Sequence, residues 1–185
     1  MAFEQRWLSD DAFISFRYAQ NWSEGNGLVF NNGEYVEGYT NLLWTMLLGM
    51  GMLCGVEPEV LAHVLSLGCY AGLVVLLWLH SKPTVVPIAM LSVVSMSHIQ
   101  LFATSGLETM SFLFVISLAI VALKQERYTL LHSANILAIL TRPEGGLLWI
   151  LSAICSPKEK RVQLLLSGGI VLFLLSCCRI FYYND

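Results

Sequence analysis

From residue 60 onward, hydrophobic positions run together in long blocks and polar positions gather in the short gaps between them. A helix that crosses a bilayer needs about 20 apolar residues, within a range of about 17–25. Residues 60–80, "VLAHVLSLGCYAGLVVLLWLH", meet that length without a Lys, Arg, Asp or Glu, and so do residues 84–104. Residues 106–123 carry one charge, Glu108 near the start, and residues 162–181 carry one, Arg179 near the end. Two further runs, 128–141 and 145–155, are joined by "TRPEGG". They reach only roughly 16–21 Å, against about 30 Å of hydrocarbon. The pattern predicts two short helices whose junction lies at membrane depth or in a solvated cavity, where protein or water must satisfy the irregular backbone. The run 42–56, with three Gly, is short for a span. It reads as a helix in the interface.

Residues 1–41 break this pattern: they hold the densest mixture of acids, aromatics, Asn and Gly in the chain. The expected fold is all-α, a polytopic transmembrane helix bundle (60–185) preceded by an external loop with amphipathic, juxtamembrane helices (1–59).

Composition agrees. The chain is 56% apolar and 12% charged, with a mean hydropathy of +0.66, whereas soluble domains are roughly 45–50% apolar and about 25% charged. No basic patch with interleaved aromatics is present, so nucleic acid is not an expected partner. The five cysteines lie in apolar runs without CxxC spacing, which fits buried hydrophobes rather than a disulfide framework or zinc site. The four histidines lack HxxxH or HExxH spacing. "MAFEQRWLSDD" lacks the apolar core of a signal peptide.

Charge placement sets a topology. Counting spans from 60–80 puts Lys82, the "KQER" pair Lys124 and Arg127, and the "SPKEKR" set Lys158, Lys160 and Arg161 on one face. The positive-inside rule makes that face cytoplasmic. The opposite face collects Asp10, Asp11, Arg17, Glu34, Glu37, Tyr39, Asn41, Glu108, Arg142, Glu144, Arg179, Tyr182 and Tyr183. Ionisable groups near membrane depth are costly, which makes them functional candidates.

Each polar stretch also has a plainer reading. In "SDDAFISFRYAQNWSEG", Ser9 can cap a helix with Asp10 and Asp11 in its first turn. Phe13, Phe16, Tyr18, Ala19 and Trp22 then form its apolar stripe, and Gly25 and Gly27 end it. The adjacent carboxylates could instead supply a general base. "SGLET" can be a capping box, Ser105 to Glu108. "TRPEG" can hold an Arg142–Glu144 pair. "EYVEGYTN" can be a polar loop.

The series "DDAFISFRYAQNWSEGNGLVFNNGEYVEGYTNLLWT", "SGLET", "TRPEG" and "RIFYYND" resembles bacterial GT-C glycosyltransferases. The likeness is to the arabinofuranosyl- and mannosyltransferase-like group that uses polyprenyl-phosphate sugars. The resemblance implies an acidic catalytic base in the first external loop, Asp10 or Asp11. It also implies that Glu37, Tyr39, Arg142 and Glu144 surround a donor and acceptor cavity. Arg17, Asn41, Glu108, Tyr182 and Tyr183 join the candidate substrate-binding set from the same face. The expected reaction is inverting transfer of a sugar from a polyprenyl-phosphate donor to a cell-envelope glycan, lipid or protein acceptor, at the non-cytoplasmic face of a bacterial inner membrane. Arg142, Arg17 or Arg179 would stabilise the departing phosphate. No cofactor is established by the sequence, although Asp10 and Asp11 could hold a divalent metal. The family has a span before its DD loop and runs to several hundred residues. The expectation is therefore that the chain is a fragment, inactive alone. The alternatives are a non-catalytic truncated membrane protein, or a lipid or solute transporter.

Overall fold

A computed structural model describes residues 8–81 and 88–183. Among these every regular element is a helix, nine in all: α1 (Asp10–Ser23), α2 (Leu42–Leu53), α3 (Pro58–Leu79), α4 (Ile88–Ser95), α5 (Ser97–Phe102), α6 (Thr109–Lys124), α7 (Tyr128–Thr141), α8 (Gly145–Cys155) and α9 (Lys158–Tyr183). Lys82 and the first residues of the expected 84–104 span lie outside the described residues.

Side-chain contacts fix the direction of each helix. Ser66 of α3 donates to the Leu107 carbonyl, Cys69 meets Ser111, and His80 meets Gln125. Helices α3 and α6 are therefore parallel. His132 of α7 lies 2.8 Å from Ser167 of α9, and the Lys160 ammonium sits 5.8 Å from the centre of the Tyr128 ring, so α7 and α9 are parallel too. Short turns make α6–α7, α7–α8 and α8–α9 antiparallel neighbours. One end of the bundle consequently holds Lys124, Arg127, Lys158, Lys160 and Arg161. The other holds Glu108, Arg142 and Glu144, with α1 against it.

Helices α3 and α9 have 22 and 26 residues and are long and apolar enough to cross a membrane. Only 17% and 11% of their most apolar stretches are buried. A core helix of a soluble protein would hide its apolar side chains. These helices instead turn Val64, Trp78, Ile170 and Phe173 outward, and Phe181 is 87% exposed. Outward-facing apolar surface of this extent is stabilised by lipid rather than water. The chain is a membrane helix bundle.

The interior is small and tightly approached. Val115, Ala119, Ala122, Leu131, Ala134, Ala138, Ala153 and Leu164 form the main core. Its alanines let α6, α7 and α8 come close, which is how helices associate where lipid removes the hydrophobic drive. Between α7 and α8 a Cβ on Gly145 would overlap the Ala138 carbonyl, so only Gly permits this corner.

Two expectations need revision. Residues 88–102 form two helices divided at Met96 rather than one span. Gln100 Nε2 donates to the Val94 carbonyl at 2.6 Å, replacing part of the helical ladder at the break. The capping box of "SGLET" is also absent. Helix α6 starts at Thr109, no side chain caps it, and Ser105 Oγ donates to the Phe102 carbonyl. Gly106, at φ +78°, turns the chain, and Glu108 is drawn to a cation instead.

Candidate active site

Helix α1 ends in a Schellman motif, with Asn26 N–H bonded to Asn21 O, Gly25 N–H to Trp22 O, and Gly25 at φ +84°. Ser9 stands at its N-cap position without a side-chain cap; its backbone N–H reaches the Ser105 carbonyl at 3.0 Å. Ala12, Phe16 and Ala19 then pack on Trp44, Leu48 and Ala62. Phe13, expected in the apolar stripe, is exposed. Trp44 Nε1 donates to the Gly106 carbonyl at 3.2 Å. A Cβ on Gly106 would stand 2.7 Å from Leu8 and 3.2 Å from Ala12. The α1–α2 pair is thereby seated on the "SGLET" turn.

A buried polar network fills the seam. Arg142 Nε donates to Glu108 Oε1 at 2.6 Å, and Asn41 Nδ2 donates to Glu108 Oε2 at 2.7 Å. Asn41 Oδ1 accepts from Ser15 and Thr45 hydroxyls at 3.2 and 3.0 Å. Arg142 Nη2 reaches Thr109 at 3.3 Å, and its guanidinium carbon lies 5.9 Å from the Phe112 ring centre. Glu108 is 5% exposed; at that burial a carboxylate needs both a counter-charge and hydrogen bonds. Local chemistry explains the aim of Arg142. Its backbone is extended, φ −149° and ψ 145°, because the ring of Pro143 disfavours helical geometry in the preceding residue. Helix α7 stops there and Arg142 turns toward α6. The expected Arg142–Glu144 pair is not formed; Glu144 is exposed at the start of α8.

Above this network lies an open cavity of about 250 Å³, lined by residues that include Asp11, Tyr39, Asn41, Glu108 and Arg142. Asp11, Tyr39, Asn41, Glu108 and Arg142 were all expected at one site, and the fold gathers them from four separate stretches. Asp10 and Asp11 are both exposed, but Asp10 does not line the cavity. Arg17 also stands aside, donating to the Phe30 carbonyl at 3.1 Å. No group of three or more His, Cys, Asp or Glu that could hold a metal occurs among the described residues. The adjacent aspartates therefore lack a third ligand of those types.

A second, largely apolar groove of about 630 Å³ runs between α2 and α9, and Tyr39 lines both spaces. Arg179 lines the groove and lies 3.0 Å from Glu37, a charge contact rather than an aligned hydrogen bond. The end of α9 grips the 24–41 loop: Leu28 N–H donates to Tyr182 Oη at 2.7 Å, and Tyr183 Oη donates to Leu28 O at 2.9 Å. Tyr183 Oη also approaches Tyr39 Oη at 3.4 Å. Burial raises the Tyr39 phenol above its ordinary 10.0; the Tyr183 hydrogen bond opposes this and the Glu37 charge adds to it. Tyr18 is likewise raised, mainly by burial, and donates to the Val36 carbonyl at 2.8 Å. Ser15, Trp44 and Thr45 were not singled out in the sequence, and Tyr18 was read only as part of an apolar stripe. The i, i+4 spacing of Asn41 and Thr45 is the one signal that could have found any of them.

No family model matches the chain, and no solved structure matches it. Two curated proteins do, both named terminal beta-(1->2)-arabinofuranosyltransferase. The one from Mycobacterium tuberculosis is 31% identical over 216 aligned positions, covering 99% of this chain and 34% of the relative. The one from Corynebacterium glutamicum is 35% identical over 112 positions, covering 56% of this chain and 16% of the relative. The chain thus spans about a third of the length of the first. Nearly its whole length, including every motif that builds the cavity, is homologous to about a third of the Mycobacterium tuberculosis protein, and by that homology the chain corresponds to a region of a GT-C-like membrane glycosyltransferase.

Proposed function

We propose that the chain carries the catalytic region of a membrane glycosyltransferase that moves an arabinofuranosyl unit from a polyprenyl-phosphate donor to a cell-envelope glycan. The observation that carries this reading is the shared wall. Tyr39 joins a polar cavity, where Asp11 stands near a buried carboxylate–guanidinium pair, to an apolar groove that ends at a cation. A lipid-linked sugar needs such adjoining spaces, one for its chain and one for its reacting carbon.

In this reading the isoprenoid chain occupies the α2–α9 groove and Arg179 binds the phosphate. The acceptor hydroxyl enters the polar cavity. Asp11 takes its proton as the oxygen attacks the anomeric carbon, and the bond from that carbon to the phosphate oxygen breaks with its electron pair leaving on the polyprenyl phosphate. Arg179 stabilises the departing charge by charge-assisted hydrogen bonds, with Arg142 facing the same cavity. A single displacement inverts the centre, so donor and product have opposite anomeric configurations. Asp11 is preferred to Asp10 because only Asp11 lines the cavity. The lysine- and arginine-rich end faces the cytoplasm of a bacterial inner membrane and the cavity faces outward.

A chimera tests this, with residues 8–183 replacing the matching third of the Mycobacterium tuberculosis relative. Supplied with a polyprenyl-phosphate arabinofuranose and an arabinan acceptor, the chimera is expected to add one pentose mass unit, and Asp11→Asn is expected to slow the addition by about 10²–10⁴-fold. Undiminished transfer by Asp10→Asn, Asp11→Asn and their combination rejects the assignment of the base.

A further inference from the structure

The basic end of the bundle carries a feature that sugar transfer does not use. An open cleft of about 710 Å³ lies where the α6–α7 turn and the first turn of α7 meet the start of α9. Arg127 lines it from the α6–α7 turn and Lys160 from α9, with Tyr128, Leu130 and the hydroxyl residues Thr129 and Ser133. Glu126 is its single acid. Among the described residues, neither Arg127 nor Lys160 has a carboxylate within ion-pair distance. Arg161, by contrast, is committed: its guanidinium donates to the carbonyls of Ala153, Ile154 and Ser156 and closes the end of α8. Lys160 is steadied over the Tyr128 ring at 5.8 Å. Two and six residues beyond Lys160 on α9, Val162 and Leu166 are exposed apolar side chains that neighbour the cleft without lining it.

We infer that this cleft is a binding site for the phosphate headgroup of an anionic membrane lipid. The inference rests on the membrane placement given above and not on the transfer reaction. Two cations without acid partners favour a monoanionic phosphodiester. An amphipathic tyrosine at the rim suits the headgroup layer. The outward-facing Val162 and Leu166 offer a surface for acyl chains. A soluble anion would use the cations but not the apolar surface outside the cleft. Basic pockets between transmembrane helices on the cytoplasmic side hold anionic headgroups for these reasons.

The test is lipid retention by the whole chain in detergent, read by native mass spectrometry, with phosphatidylglycerol and phosphatidylcholine as probes. The expected result is preferential retention of phosphatidylglycerol. The double variant Arg127→Gln/Lys160→Gln should weaken it by roughly tenfold to thirtyfold, from about 1 kcal/mol per cation near the surface. The charge-preserving Arg127→Lys/Lys160→Arg should retain it, which separates lost binding from lost folding. Lys124→Gln/Lys158→Gln, on the same end but outside the cleft, should also retain it. Equal retention of the two lipids overturns the site. So does equal loss in the Lys124/Lys158 variant, since that is a general surface charge effect. Inorganic phosphate at millimolar concentration that displaces nothing supports a lipid site. Protection of the protein by phosphate alone, equal to that by the lipid, reassigns the cleft to a soluble anion and overturns the lipid assignment. Because this readout involves no sugar, a failure here and a failure of the transferase reading are told apart.

Discussion

Arg142 Nε and Glu108 Oε1 meet at 2.6 Å across 34 residues of sequence, and Asn41, from a third segment, holds the other oxygen of the same carboxylate. This joint ties the α7–α8 corner, the start of α6 and the start of α2 together. It makes Glu108 a residue that aims Arg142, and its burial leaves little surface for direct substrate contact. Removing one partner of a fully buried pair costs about 3–5 kcal/mol. Here about a third of the Arg142 side chain is exposed, so Glu108→Ala is expected to cost about 2–3 kcal/mol. The check is a thermal or denaturant midpoint in detergent. Glu108→Gln/Arg142→Gln should cost less than the sum of its single changes; additivity would mean that the pair is not coupled.

Asp11 and Asp10 are adjacent in sequence but differ in surroundings. Asp11→Asn in the chimera should lower turnover by about 10²–10⁴-fold, the range of a general base. Asp10→Asn should stay within a few-fold of the parent. Initial rates at saturating acceptor separate the two, and equal losses would return the choice between them to an open one.

Gly106 combines φ +78° with close neighbours. Gly106→Ala should destabilise by about 1–3 kcal/mol, from left-handed strain plus overlap with Leu8. Gly25→Ala, at φ +84° with nothing within 4 Å, should cost less, about 1 kcal/mol. Melting of the two variants side by side distinguishes strain from crowding.

The Tyr39 phenol is raised, chiefly by burial. The folded chain therefore holds this proton more tightly than the unfolded chain does. Its contribution is fully present below the ordinary value of 10.0 and is lost as pH rises above it. Unfolding midpoints should fall between about pH 9 and pH 11 more steeply for the parent than for Tyr39→Phe. Parallel slopes would remove Tyr39 as a source of alkaline sensitivity.

Much of this architecture was readable from residue patterns. Long apolar runs marked α3 and α9, and Gly25 marked the end of α1. Pro143 and the Gly pair marked the α7–α8 corner. The break at Met96 was hidden because neither Gly nor Pro stands there; the disruption comes from a glutamine side chain competing for a backbone carbonyl. At the site, the acids and arginines stood out by their scarcity among apolar residues. Their pairing did not, since partnership depends on which way a turn directs a side chain. Glu108 passed equally well as a helix cap. Asn41 gave no sign that it would sit between a hydroxyl pair and a carboxylate.

Helices α6, α7 and α8 have 16, 14 and 11 residues, beside 22 and 26 in α3 and α9. At about 1.5 Å per residue, the short trio reaches about 24, 21 and 17 Å and its long neighbours about 33 and 39 Å. A leaflet bordering the trio must dimple to match it, because hydrophobic mismatch is relieved by local thinning. The Arg142 corner then lies sunk beneath the general level of the headgroups, and the lipid-anchored donor proposed above would come down to its partner by sideways drift without being hauled from the bilayer.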